Sequence, residues 1–171
     1  MNYQQELFRA CGNGDLQVVK YLIEKGIDVE TKDNHGGTSL IKSVWHGKIN
    51  VIKYLIEEKG ANIEVRDNRG NTALLYAVCR GYFDIIKYLI EEVGVNIEDR
   101  DDENNTPLIY SSLFGNIEIT KFLIEKGANT LSKDYLGKTF IEYLDETQEE
   151  EINRFIEDIQ LRKAMIKPHR K

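Results

Sequence analysis

Residues 71–92 read NTALLYAVCRGYFDIIKYLIEE, and two other stretches say nearly the same thing: GTSLIKSVWHGKINVIKYLIEE at 37–58 and NTPLIYSSLFGNIEITKFLIEK at 105–126. Single residues expose the period. Asp33, Asp67, Asp101 and Asp134 recur at spacings of 34, 34 and 33, and Thr38, Thr72, Thr106 and Thr139 do the same. Gly14, Gly47, Gly81 and Gly115 form a third series, and Gly26, Gly60, Gly94 and Gly127 a fourth. A period of this length marks an array of stacked supersecondary units.

Within a unit the two glycines separate two short apolar segments with helical spacing. In the unit that begins at Asp101, Leu108, Ile109 and Ser112 belong to the first segment, and Ile119, Phe122, Leu123 and Ile124 to the second. A glycine just past a helix relieves the strain of the left-handed residue found there. Thr106 before Pro107 reads as a helix start, with a hydroxyl capping orphan amides and a ring whose missing N–H is not needed. Polar stretches such as VRDNRGN (65–71) read as tight turns between units. Each unit is therefore turn, helix, turn, helix. A unit of this size cannot bury its apolar face alone and must stack on its neighbours. The invariant letters are those that touch the next unit.

Those residues resemble a known family. The pattern D-x-x-G-x-T-P-L, small residues, x-x-G, an apolar helix and G-A-N appears as DNHGGTSLIKSVWHG, DNRGNTALLYAVCRG and DDENNTPLIYSSLFG, and is similar to the ankyrin repeat. The resemblance implies an all-α ankyrin-repeat solenoid, five helix pairs in a right-handed stack joined by β-turn or hairpin-like loops. It forms one domain, with an amino-terminal cap at 1–32, full units at 33–66, 67–100 and 101–133, and a carboxy-terminal cap at 134–171. In the last unit, Ile152, Phe155, Ile156 and Ile159 recur at helical spacing, with acidic residues first and basic ones last, as the helix dipole favours. Two departures stand out. The histidine that often follows Thr-Pro-Leu is aliphatic here (Ile41, Leu75, Ile109), and Glu30, Glu64 and Glu98 stand where many ankyrin repeats carry a hydroxylatable Asn.

The composition of the 171 residues, 41% apolar and 30% charged, fits a soluble globular domain. No apolar run is long enough to span a membrane, and MNYQQELFRA lacks a signal-peptide pattern, so an intracellular, cytoplasmic chain is expected. Delivery into a host cell is a further expectation drawn from what ankyrin proteins do. Cys11 and Cys79 form no disulfide framework and no zinc-ligand cluster. The net charge of −6 argues against nucleic acid as partner, the one basic cluster being the final KPHRK. No cofactor or metal is expected, and a monomer is.

His35, His46 and His169 fall on a turn tip, a helix end and the tail, and assemble no triad. Register alone places Trp45 over Cys79 and His46 over Arg80. A Cys79/His46 nucleophile would still lack an orienting group and a pocket. The pairs Lys20/Glu24, Lys53/Glu57, Lys87/Glu91 and Lys121/Glu125 on the second helices read as a solvated outer face. The letters that vary are more telling. Before the internal glycine stand Trp45 and His46, Cys79 and Arg80, Leu113 and Phe114; one turn earlier stand Lys42, Tyr76, Tyr110 and Tyr143. The resemblance places this side on the concave surface. Aromatic residues and Arg are what binding hot spots favour. Trp45, His46, Tyr76, Arg80, Tyr110, Leu113 and Phe114 are therefore the candidate partner-binding residues of a non-enzymatic protein-binding module, an adaptor, inhibitor, scaffold or host-directed effector. The competing reading of the tyrosines is that they fill gaps between first helices. The alternative functions are a substrate-recruiting platform of an enzyme and a nucleic-acid-binding protein.

Overall fold

The computed structural model describes residues 3–166, so the KPHRK run and His169 lie outside the described residues. Four helix pairs follow one another: α1 (Tyr3–Asn13) with α2 (Leu16–Glu24), α3 (Ser39–Trp45) with α4 (Ile49–Lys53), α5 (Ala73–Cys79) with α6 (Phe83–Lys87), and α7 (Pro107–Leu113) with α8 (Ile117–Glu125). A 3₁₀ turn (Phe140–Tyr143) and the long α9 (Glu146–Ile166) make the fifth. First helices pack on first helices, from α1 through α3 and α5 to α7 and the 3₁₀ turn. Second helices stack beside them, α2 on α4 and α8 on α9. Among the described residues the only β pairing is a single bridge, Lys133 with Thr139.

The repeated letters do not chiefly touch the next unit, as the repeat suggests: Asp and Thr act within their own unit, because a turn and a helix start need their amides satisfied locally. The Asp67 Oδ1 accepts the amides of Arg69 (2.8 Å) and Asn71 (2.9 Å), folding the turn around one carboxylate. Asp33, Asp101 and Asp134 repeat that geometry. Thr38, Thr72 and Thr106 cap α3, α5 and α7 by accepting the amides of Ile41, Leu75 and Ile109. Successive turns are tied backbone to backbone, with Asn68 N donating to His35 O (2.9 Å), Asp102 N to Arg69 O (3.1 Å) and Tyr135 N to Glu103 O (3.0 Å). This closeness explains Gly70, whose φ is 76°. A Cβ there would sit 2.6 Å from Asp102 Oδ1. Arg66 adds a further tie, its guanidinium donating to the Gly70 and Arg100 carbonyls and to Asp99. Glu30 and Glu98, at the hydroxylation position of relatives, accept the next unit's amides from Asn62 and Asn129, each at 2.7 Å.

The second helices hold a feature that the repeat spacing conceals. From Gly47 to Gly60 and from Gly81 to Gly94 the chain is one residue longer than from Gly14 to Gly26 or Gly115 to Gly127. The extra residue is absorbed as π-helix, Tyr54–Glu58 after α4 and Tyr88–Val93 after α6. The closing bond shows it. Ala128 N reaches Leu123 O at 3.0 Å, whereas Ala61 N reaches Leu55 O at 2.9 Å and Val95 N reaches Leu89 O at 3.1 Å, one residue further back. Leu55, Leu89 and Leu123 thus keep the same fully buried place.

The core runs the length of the stack between the two ranks, through Leu40, Leu74 and Leu108 and through Ile52, Ile86 and Leu123. Ile41, Leu75 and Ile109, where the resemblance implies a histidine, are buried. At the carboxy-terminal end Ile152 is fully buried and Phe155, Ile156 and Ile159 pack beside it, as the spacing predicts. The fifth unit departs from five full helix pairs in its first element, which is a 3₁₀ turn. Glu142 folds back on the Thr139 amide at 2.7 Å, and Asp145 caps α9 through Gln148 N at 2.9 Å, leaving four residues for a first helix.

Candidate functional site on the first-helix face

The seven candidate residues lie along the rank of first helices, and the structure groups them. At the junction of α3 and α5 the Trp45 and Tyr76 rings meet edge to face, centroids 5.1 Å apart and planes at 89°. The Arg80 guanidinium stands 4.8 Å from the Trp45 ring, a cation on an aromatic face. On α7, Tyr110 and Phe114 stack with centroids 5.8 Å apart and planes at 2°, with Leu113 exposed beside them. His46 leans the other way. A Cβ on Gly12 would lie 3.1 Å from its Cδ2, so it packs on α1. Side chains therefore cross the stack obliquely, and Trp45, which aligns with Cys79, meets Tyr76 and Arg80.

Hydrogen bonding separates these residues into props and free surface. The Tyr76 hydroxyl donates to Asp67 Oδ2, Tyr110 to Asp101 Oδ2 at 2.7 Å and Tyr143 to Asp134 Oδ2. Each tyrosine braces its own turn, and burial with the neighbouring carboxylate drives the Tyr76 and Tyr110 phenols upward in pKa. The gap-filling reading thus accounts for part of what Tyr76 and Tyr110 do. Sequence reasoning missed this lock, although its signal, a tyrosine nine residues after the turn aspartate, occurs three times. By contrast Trp45, Leu113 and Phe114 keep 37%, 46% and 48% of their surface in water.

The second-helix face treats its aromatic residues differently. Tyr54, Tyr88 and Phe122 are buried to 4%, 4% and 8% exposure. Lysines lie over them, Lys20 at 4.9 Å from the Tyr54 ring, Lys53 at 4.7 Å from Tyr88 and Lys126 at 5.2 Å from Phe122. The ion pairs expected within each helix give way to pairs between units: Lys20 with Glu58, Lys53 with Glu92, Lys126 with Glu91 and Lys121 with Glu151. Lys20, Lys53 and Lys121 each lean over the next unit's ring and are brought to that unit's carboxylates, whereas Lys126 lies over its own Phe122 and reaches back to Glu91.

The Cys79 and His46 pair is not set up as a nucleophile. Burial pushes the Cys79 thiol up, with Arg80 opposing it weakly, and burial together with Lys42, Lys48 and Arg80 pushes His46 down. A reactive cysteine needs the reverse, a lowered thiol beside a cationic partner. Cys11 is fully buried among α1 and α3. Among the described residues no helix is long and apolar enough to cross a membrane.

Comparison with known proteins follows the same geometry. The family model described as ankyrin repeats in three copies matches residues 2–67 and 59–134. A protein of Acanthamoeba polyphaga mimivirus, named as an ankyrin repeat protein, is 38% identical over 55 residues, which are 32% of this chain and 8% of that protein. The ankyrin repeat and SAM domain-containing protein 6 of Mus musculus is 36% identical over 53 residues, 30% of this chain and 6% of that protein. The chain thus matches less than a tenth of the length of these relatives.

Proposed function

The chain belongs to the ankyrin-repeat family, whose repeats are generally protein-interaction modules, and from that premise we propose a non-enzymatic binding module that holds a partner protein on its first-helix face. Trp45, Arg80, Leu113 and Phe114 are its anchors, and Tyr76 and Tyr110 hold them in place. The observation that supports this reading is the contrast in coverage: from α4 onward the second-helix face buries Tyr54, Tyr88 and Phe122 under lysine, with Tyr21 of the first unit open, and the first-helix face leaves Trp45 and Phe114 half open. Large apolar side chains left in water across one face are what interfaces use as anchors. Braced by turn-to-turn bonds, that face loses little ordering entropy on binding.

The module works as a monomer inside the cell, as adaptor, inhibitor, scaffold or host-directed effector, with the units at 1–32 and 134–171 as its caps. The net charge of −6 and the carboxylates along the turns favour a protein over a nucleic acid. The test is quantitative. Once a partner is captured, Phe114→Ala should weaken it by about 2 kcal/mol or more in calorimetry, with the circular dichroism spectrum unchanged. Lys87→Ala on the opposite face should leave affinity intact. The reverse pattern would put the recognition surface on the second helices.

A further inference from the structure

The tyrosine lock is present in three turns and replaced in the fourth. At Asp67, Asp101 and Asp134 the Oδ2 accepts a phenol from nine residues on, and at the first two an Asn71 or Asn105 amide also reaches it, at 3.5 and 3.1 Å. In the unit of α3 both donors are changed. Lys42 stands in the tyrosine's position and Gly37 in the asparagine's. Asp33 Oδ1 is occupied by the His35 and Gly37 amides at 2.8 and 2.9 Å, as in the sister turns. Among the described residues no donor reaches its Oδ2, and Lys42 makes no ion pair with it.

Where the sister units hold a tyrosine ring, this unit has a recess of about 220 Å³ bounded by Asp33, Ile41, Lys42, Trp45, Asp67 and Tyr76, the Asp67 carboxylate being taken up by the Tyr76 hydroxyl and its own turn amides. One unit on, the equivalent cleft is bounded by Asn71, Asp101 and Tyr110 and does not extend to Asp67, where Tyr76 stands instead. The recess therefore combines an aromatic wall, an aliphatic wall and one carboxylate oxygen without a donor.

We propose that this recess receives a tyrosine side chain of the partner protein, its ring against Trp45 and Ile41 and its hydroxyl donating to Asp33 Oδ2. The occupant is identified by what the fold itself places in the same surroundings three times. A cation is disfavoured by Lys42 at the rim and by Arg80, which already lies on Trp45, while the second carboxylate of the recess, Asp67, has both oxygens engaged by donors of its own unit. A phenylalanine would leave the carboxylate covered and unpaired, which costs more than an exposed one. The inference rests on the first-helix reading and sharpens it to one residue type.

The experiment uses isotope-labelled full chain in NMR titrations with p-cresol, toluene and n-butylammonium as probes. Trp45 is the sole tryptophan, so its indole N–H is a single reporter, with the His35 and Gly37 amides beside it. p-Cresol should shift these three signals and bind about tenfold tighter than toluene, the worth of one hydrogen bond to a charged acceptor. Lys42→Tyr, which supplies the phenol internally, should abolish those shifts. Should that variant fail to fold, Gly37→Asn should weaken p-cresol by giving Asp33 the amide its sisters have. Equal response to p-cresol and toluene, preference for n-butylammonium, or p-cresol shifts undiminished in both variants would overturn the proposal. Any of these would leave the Phe114 comparison standing, since that residue lies outside the recess.

Discussion

The two faces of this stack carry similar numbers of aromatic rings and use them in opposite ways. On the second-helix face Tyr54, Tyr88 and Phe122 are sunk between neighbouring helices, and lysines lie over the rings. On the first-helix face Trp45 and Phe114 rest on tyrosines that are themselves pinned to the turn aspartates. From α4 onward the second rank is finished by its own side chains, and Tyr21 of the first unit stays open. The first rank leaves Trp45, Leu113 and Phe114 with apolar area in water, and area of that kind gains free energy only when something covers it. The difference separates residues that hold the stack together from the exposed residues to which we assign the partner.

The largest effect should come from removing the member that closes the second rank. Truncation before Glu146 deletes α9 and with it Ile152, which is fully buried, and the flanking Phe155 and Ile156. An isoleucine-to-alanine change at such a site costs about 2–5 kcal/mol, and loss of the whole helix should exceed that and lower Tm by roughly 10 °C or more. Thermal melts of the truncated and full chains decide it. An unchanged Tm would mean that α9 contributes nothing to the stack.

Single truncations test the contrast directly. Tyr88→Ala, on the buried side, should destabilise by about 3–5 kcal/mol in urea unfolding, as for other large aromatic side chains. Phe114→Ala, on the open side, should cost less than about 1 kcal/mol. Comparable losses at both positions would show Phe114 to be core, and the open face to be only a tolerated irregularity.

This contrast was only half legible in the sequence. The turn carboxylate, the threonine cap and the glycine stop are set by backbone groups a few residues away, so each left a periodic letter, and the unit plan followed from them. Local rules also placed Ile152 and its neighbours on one stripe. What local rules could not give were distances between units. The one-residue insertion before Gly60 and Gly94 shows only as a slip in spacing, and its absorption as π-helix depends on keeping Leu55 and Leu89 buried. Trp45 and Phe114 are legible as candidates, and a gap-filling role for Tyr76 and Tyr110 is legible beside them, but the aspartate bond that makes these two braces is not.

The locks give an intermediate effect with a definite pH signature. Tyr110→Phe removes a donor to a carboxylate and should cost about 1.5 kcal/mol. Tyr143 is pushed up from 10 to about 12 by its bond to Asp134, with burial and the Asp134 charge adding. A raised tyrosine stabilises the fold fully below its ordinary value of 10 and loses that contribution as pH climbs from 10 to about 12. Asp134 moves the other way. Burial opposes its charge, but the Tyr143 hydroxyl and the Lys138 and Leu136 amides together hold it below 3.8, so its contribution is complete above 3.8 and fades as pH falls further. Tyr143→Phe should therefore flatten the alkaline limb of the Tm profile between pH 10 and about 12. A limb unchanged in that variant would show the Asp134 bond to be absent in solution.

The smallest effect should lie in the charges of the second-helix face. Lys53 and Glu57, one helical turn apart, would ordinarily be paired with each other. Instead Glu57 accepts the Tyr88 hydroxyl at 2.9 Å and Lys53 stands 4.0 Å from Glu92 and over the Tyr88 ring. Both members of the Lys53 and Glu92 pair are well exposed, and such pairs contribute about 0–1 kcal/mol, less with added salt. A double-mutant cycle of Lys53→Ala with Glu92→Ala should thus return a coupling below about 0.5 kcal/mol that shrinks at high salt. A cycle of Lys53→Ala with Tyr88→Phe should show little coupling, because the ring that faces the lysine remains. If the Lys53 and Glu92 coupling proves large and resists salt, the second-helix face is held by charge as much as by burial. Its aromatic residues would then be less firmly covered than the contrast with Trp45 and Phe114 requires.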